Sequence, residues 1–223
     1  MSNKHKFAVV LSGCGRADGS EIHESVCALL AIDQAGCSYE CYAPDIEQTV
    51  VMNTMTGEKM PEHRNVMVEA SRISRGNIKP LSDLDVREYD GIVFPGGLGA
   101  ILNWCDFAEK GVTCDVESSV SHVLETAHKN GKVIGAMCIA PVVIAKVLGK
   151  YGVKVTSGND ATVAENMRKA GAAPQETKES EAYIDKENRV VTTSAYMISK
   201  NISGVYKGAV NMINAMIELA NTK

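Results

Sequence analysis

The chain is poor in aromatic residues: one Trp, three Phe and seven Tyr supply 5% of its 223 positions. It has no basic block interleaved with aromatic side chains, so the sequence gives no footing for a nucleic-acid partner. No apolar run approaches the ~20 residues that cross a bilayer, so no membrane partner is expected either. Met1 to Lys6 is short and polar and enters a strand at once. No signal or transit segment is read there, so the expected compartment is the cytoplasm, and a processed organellar form would look the same. No two of the seven cysteines have CxxC spacing. Cys37 and Cys41 read as extended chain with no histidine nearby to complete a ligand set, so no metal is expected and the cysteines read as reduced and mostly structural. A dinucleotide fingerprint is missing too. Gly97-Leu98-Gly99 would need a third glycine where Leu102 stands, and Gly13-Cys14-Gly15 would need one at Asp18. No cofactor is expected.

What remains is an ordinary soluble composition, with 45% hydrophobic and 22% charged residues and a net charge of -4. Phe7 to Leu11 is a continuous apolar run, as in a strand buried on both faces. Ile22, Val26, Leu29, Leu30 and Ile32 recur at helical spacing, and Gly36 follows as a C-terminal cap. Tyr39 to Ala43 is a second strand, so this stretch is a βαβ unit and implies a parallel sheet. Residues 46–62 read as an irregular excursion. Asn65 to Ile73 reads as a short helix with a charged, solvated face. Asp90 to Phe94 is a strand that ends in Pro95-Gly96-Gly97. Val116 to Asn130 is an amphipathic helix. Val153 to Val155 is a short strand, Thr162 to Ala170 a helix, Tyr183 to Thr193 a hairpin, and Ser203 to Asn221 a closing helix. Residues 1–223 therefore read as one doubly wound α/β domain, with helices on both faces of a mostly parallel sheet.

The chemistry concentrates at Cys138. The run Lys132 to Met137 reads as a strand, and an apolar helical pattern starts directly behind Cys138. A cysteine on such a strand–turn–helix corner is the thiol version of a nucleophile elbow. Its place near a helix N-terminus is expected to favour the thiolate. A small buried cysteine ending a core strand would give the same local pattern. Strand ends of one parallel sheet converge, which brings the Gly96–Gly97–Gly99 loop and the first helix near the sulfur. The N–H groups of that loop, with the Ile139 N–H, suit an oxyanion hole. All five histidines (His5, His23, His63, His122 and His128) precede Cys138. His23, His122 and His128 stay open as spatial partners. His23 is the best of them because it adjoins Glu24, yet neighbours on a helix diverge by ~100° and cannot both aim at one sulfur.

Several stretches together resemble a known family. They are Leu11 to Gly15, Asp18 to Glu24, Arg64-Asn65-Val66, Phe94 to Ala100, Gly135 to Pro141 and Val191 to Met197. They resemble the ThiJ/PfpI superfamily and, within it, the ElbB family, described as a glyoxalase or as an isoprenoid-biosynthesis protein with an amidotransferase-like domain. The resemblance implies a class I glutamine amidotransferase-like fold, a flavodoxin-like three-layer sandwich. It implies Cys138 as nucleophile, Glu24 as its acidic partner, Gly97 and Ile139 as backbone donors, and a homodimer. The chain lacks the His that directly follows the Cys in the protease-like branch. It also lacks the His placed after the Cys in true glutamine amidotransferases. The function expected is therefore a cofactor-independent glyoxalase acting on glyoxal or a similar small 2-oxoaldehyde. Redox sensing through the same thiol is the alternative, and metabolite binding in isoprenoid metabolism is a third reading.

Overall fold

A computed structural model describes residues 5–222. The polar N-terminal stretch falls, in residues 1–4, outside the described residues. The first apolar run forms β1 (Lys6–Val10), buried from Phe7 onward. α1 (Ile22–Gln34) turns Glu24, Cys27, Ala28, Ala31 and Ile32 inward. Its N-cap is Glu21, whose carboxylate accepts the Glu24 N–H at 2.8 Å. That satisfies one of the donors a helix leaves orphaned at its start. β2 (Ser38–Ala43) then pairs in parallel with β1.

The excursion after it contains a small antiparallel hairpin, β3 (Val51–Asn53) with β4 (Glu58–Met60). α2 (Val66–Ala70) is shorter than its sequence pattern. Its charge is not wholly solvated: Glu69 is buried and held by Arg72 at 3.0 Å and Arg64 at 3.4 Å. The pattern misled because one arginine precedes the helix and the other follows it, and both fold back over one carboxylate. β5 (Ile78–Pro80) was not anticipated. It is three residues long and ends in proline, so it carries no alternation to read, and it lies at the sheet edge where proline is tolerated.

β6 (Gly91–Phe94) leads into α3 (Gly99–Leu102) and α4 (Phe107–Lys110). α5 (Ser118–Lys129), β7 (Val133–Met137) and α6 (Pro141–Leu148) follow. A second small sheet pairs β8 (Lys154–Val155) with β9 (Ala173–Pro174), and α7 (Ala161–Lys169) connects them. β10 (Ala182–Asp185) and β11 (Val190–Thr193) form the antiparallel hairpin, and α8 (Ile202–Ala220) closes the chain.

The main sheet has seven strands in the order β10-β11-β7-β6-β1-β2-β5, parallel except for β10. From β1 the chain steps one way to β2 through α1; from β6 it steps the other way to β7 through α5. Right-handed crossovers in opposite directions put their helices on opposite faces. α1 packs on α8 on one side, and α5 packs on α6 on the other. This is the doubly wound, flavodoxin-like fold of class I glutamine amidotransferase-like proteins. β1 and β6 are neighbours at the switch point, so the loops after them part and leave a crevice. Trp104, fully buried, packs edge-on against Phe94 at 5.5 Å and donates through Nε1 to the Leu11 carbonyl. Such an aromatic pair adds about 0.5–1.5 kcal/mol beyond the area it buries. Asn103 Nδ2 bonds the carbonyls of Ser12 and Asp18, both at 2.9 Å. These contacts fix the loop after β1 against the segment after β6. Among the described residues no helix is long and apolar enough to cross a membrane.

Candidate active site

Cys138 follows the last residue of β7 and precedes α6. Its φ is +61°, in the left-handed region that a side chain rarely adopts. Such a residue costs about 1–2 kcal/mol and persists only where its surroundings hold it. Here the Cys138 N–H donates to the Thr193 carbonyl of β11 at 3.0 Å. Its carbonyl accepts the buried Ser157 hydroxyl at 2.6 Å. Both backbone groups are thus fixed, and the side chain turns out of the sheet end. Cys138 is only 8% exposed, yet it lines a cleft of about 300 Å³ with Arg16, Glu21, Leu98 and Tyr196.

Glu24 lies in the first turn of α1 and is fully buried. Its Oε1 accepts the Tyr196 N–H at 3.2 Å, while Oε2 makes no hydrogen bond of normal length. A Cβ placed on Gly96 would run into both Glu24 Oε2 and Cys138 Cβ, so that oxygen and the cysteine side chain flank one glycine. Only a residue without a side chain lets the β6 loop pass between them. Gly97, with φ +104°, completes the turn. The N–H groups of Gly97 and Ile139 both reach the Cys138 sulfur and favour its anion. The structure thus brings Cys138, Glu24, Gly97 and Ile139 to one place.

The electrostatics differ from the sequence expectation at the sulfur. Burial, and then the Glu24 carboxyl, push the Cys138 thiol well above its usual range, outweighing the backbone donors. The helix N-terminus does not yield a resting thiolate, because desolvation of an anion exceeds the favourable dipole. Glu24 is pushed up to about 7, chiefly by its own burial, with Glu21 adding to the rise. The thiol and the N–H groups of Tyr196 and Gly96 act the other way. The pair is best described as two buried acids sharing little solvent, one of them balanced near neutrality.

His23 is exposed on α1, and its Nδ1 meets the Tyr196 hydroxyl at 2.8 Å, turned away from the sulfur by the divergence that helical geometry requires. His122 is exposed and lines another cleft with Leu84 and Arg87. His128 meets Asn188 and stacks on Tyr151. Sequence reasoning gave no role to Tyr196, Ser157 or Arg16. Tyr196 follows the carboxyl end of β11, the strand beside β7, so the strand-end rule was the signal that could have found it. Ser157 carries no local signal at all. Among the described residues no cluster of His, Cys, Asp or Glu is placed to hold a metal ion.

Comparison with known proteins agrees with this fold. The DJ-1/PfpI family pattern matches residues 16–201. The chain is 39% identical to the human protein named glutamine amidotransferase-like class 1 domain-containing protein 3, mitochondrial, over 96% of this chain and 83% of that one. It is 38% identical to the rat ES1 protein homolog, mitochondrial, over 96% and 84% of the two chains. The crystal structure of an Ehrlichia chaffeensis isoprenoid biosynthesis protein with an amidotransferase-like domain superposes with a TM-score of 0.89 at 32% identity, covering 96% of this chain and 99% of that one.

Proposed function

The chain belongs to the DJ-1/PfpI family, and from that premise we propose that it is a cofactor-independent glyoxalase in which Cys138 is the nucleophile and Glu24 the general acid–base. The observation that carries this reading is the buried contact of a positive-φ cysteine with a carboxyl pushed up to about 7. A base with that value is half ionised at neutral pH and so can both take and return a proton. Residues 1–223 act as one domain in this reading.

The reaction proceeds in three balanced steps. Glu24 takes the thiol proton as sulfur bonds to the aldehyde carbon and passes it to the carbonyl oxygen, which gives a hemithioacetal and leaves Glu24 ionised. The Gly97 and Ile139 N–H groups steady the developing oxyanion. Glu24 then removes the hydrogen on the sulfur-bearing carbon and returns it to the neighbouring carbonyl carbon, while the hemithioacetal hydroxyl proton passes to the neighbouring carbonyl oxygen. The first carbon is oxidised to a thioester and the second reduced to an alcohol. Water cleaves the carbon–sulfur bond, releasing a 2-hydroxy acid and the thiol. His23 acts at most by holding the Tyr196 hydroxyl.

The test is purified protein with glyoxal and no glutathione, followed by NMR for glycolate. Wild type should produce it, and Cys138→Ala should lose at least ~100-fold of the rate. An unchanged rate in Cys138→Ala removes the assignment. The redox-sensor alternative asks for a thiol ionised at rest, and burial of Cys138 opposes that. Selective Cys138 oxidation by mild peroxide, without glyoxal consumption, would reverse this preference.

The proposal includes a homodimer. Ile22, Val26 and Leu30 lie four apart on α1 and are 45%, 47% and 41% exposed, an apolar stripe suited to a second copy. Light scattering should show a dimer that Val26→Glu converts to monomer. The human and rat relatives are named as mitochondrial, so the setting proposed is organellar as well as cytoplasmic.

A further inference from the structure

We propose that Arg16 recognises a carboxylate on the substrate, so that the cleft takes a 2-oxoaldehyde with an acidic tail in preference to a neutral one. This rests on the Cys138 cleft being the substrate site. Arg16 and Glu21 are the charged residues that line it. Glu21 is buried, and its carboxylate is engaged in capping α1. Arg16 is exposed, and among the described residues no carboxylate pairs with it. Nearby arginines are not in this condition: Arg64 is held by Glu62 at 2.6 Å and Arg72 by Glu69 at 3.0 Å.

The unpaired guanidinium stands on a fixed base. The Arg16 carbonyl accepts the Leu98 N–H at 2.9 Å, which ties it to the loop beside the sulfur. The Gly15 N–H donates to Ser20, and the Gly19 N–H to Gly15, each at 2.8 Å, closing the loop around it. Arg16 and Glu21 also line an adjoining cleft of about 380 Å³ that contains Thr54 and Arg64. The two clefts meet at Arg16, so a molecule with its carbonyl end at Cys138 can extend past the guanidinium. The inner cleft is walled by apolar Leu98, Ile101, Ile139 and Met197, which suits an uncharged reacting end. One free cation beside Glu21 matches the single charge of a carboxylate better than the double charge of a phosphate.

The experiment measures binding apart from turnover. Calorimetry on the full-length Cys138→Ala protein compares 4,5-dioxopentanoate with neutral 2-oxopentanal. With Arg16 intact the anion should bind about tenfold tighter. That ratio should fall to near one in Cys138→Ala with Arg16→Gln, should persist in part with Arg16→Lys, and should shrink in about 0.5 M salt. Equal binding with Arg16 present, or an anion preference that survives Arg16→Gln, overturns the proposal. Wild-type protein that binds the anion through Arg16 but converts neither it nor glyoxal leaves this inference standing and removes the glyoxalase reading. Conversion of both probes with equal kcat/KM does the reverse.

Discussion

At the scale of single residues the site depends on Glu24. A carboxyl with its value raised from 4.5 to about 7 holds its proton more tightly in the folded chain than in the unfolded one. Its contribution to stability is complete below about pH 4.5 and is lost as pH rises through about 7. Glu24→Gln cannot ionise, so it should gain on wild type by about 2–3 kcal/mol across that window, read from urea unfolding at several pH values. The same variant should lose at least ~100-fold in glyoxal turnover, together with the rate limb near pH 7. A variant that is more stable but inactive would show that the acid is kept for chemistry. Stability differences that do not change with pH would mean that Glu24 ionises as an ordinary carboxylate.

At the scale of elements the corner between β7 and α6 stores strain in one backbone angle. Cys138→Ala and Cys138→Gly both remove the thiol, but only glycine adopts φ +61° without cost. The glycine variant should be more stable than the alanine variant by about 1 kcal/mol. Chemical denaturation of the two decides it, and equal midpoints would mean the corner relaxes freely. Ser157 supports the same corner through its 2.6 Å bond to the Cys138 carbonyl. Ser157→Ala leaves that buried acceptor unpaired and should cost about 1–3 kcal/mol by the same measurement. The β6 loop shows why neighbouring elements share the design. Gly96 must be bare because α1 and the corner both press against it.

At the scale of the whole molecule a second carboxyl acts in the opposite sense. Glu40 on β2 accepts from Lys79 at 2.8 Å and the Tyr89 hydroxyl at 2.5 Å, and Lys6 of β1 lies 3.0 Å away. These partners hold it at about 2. Its contribution is present above about pH 4.5 and is lost as pH falls toward 2. The side chain is 30% exposed, so solvent screening trims the effect. Glu40→Gln should be less stable than wild type by about 1 kcal/mol near pH 6, a gap that closes by about pH 2. With Glu24 lost on the alkaline side and Glu40 on the acid side, the two variants together test the pH window of stability.

Much of this protein was written along its sequence. Apolar runs and helical periods are local, so β1, α1, β2, β6, β7, the β10–β11 hairpin and α8 were all legible near their observed bounds. So was the strand–turn–helix corner at Cys138, because a small residue between an apolar run and a helical pattern is itself a local sign. The tertiary structure decided what depends on distance. It set Tyr196 on Glu24, Ser157 under the corner and Arg16 at the cleft mouth, contacts whose partners lie far apart in the chain. It also decided the charge state of the sulfur. A helix N-terminus can be read from residues in order, but the desolvation that outweighs it arises only when other elements close over the thiol and shut out water.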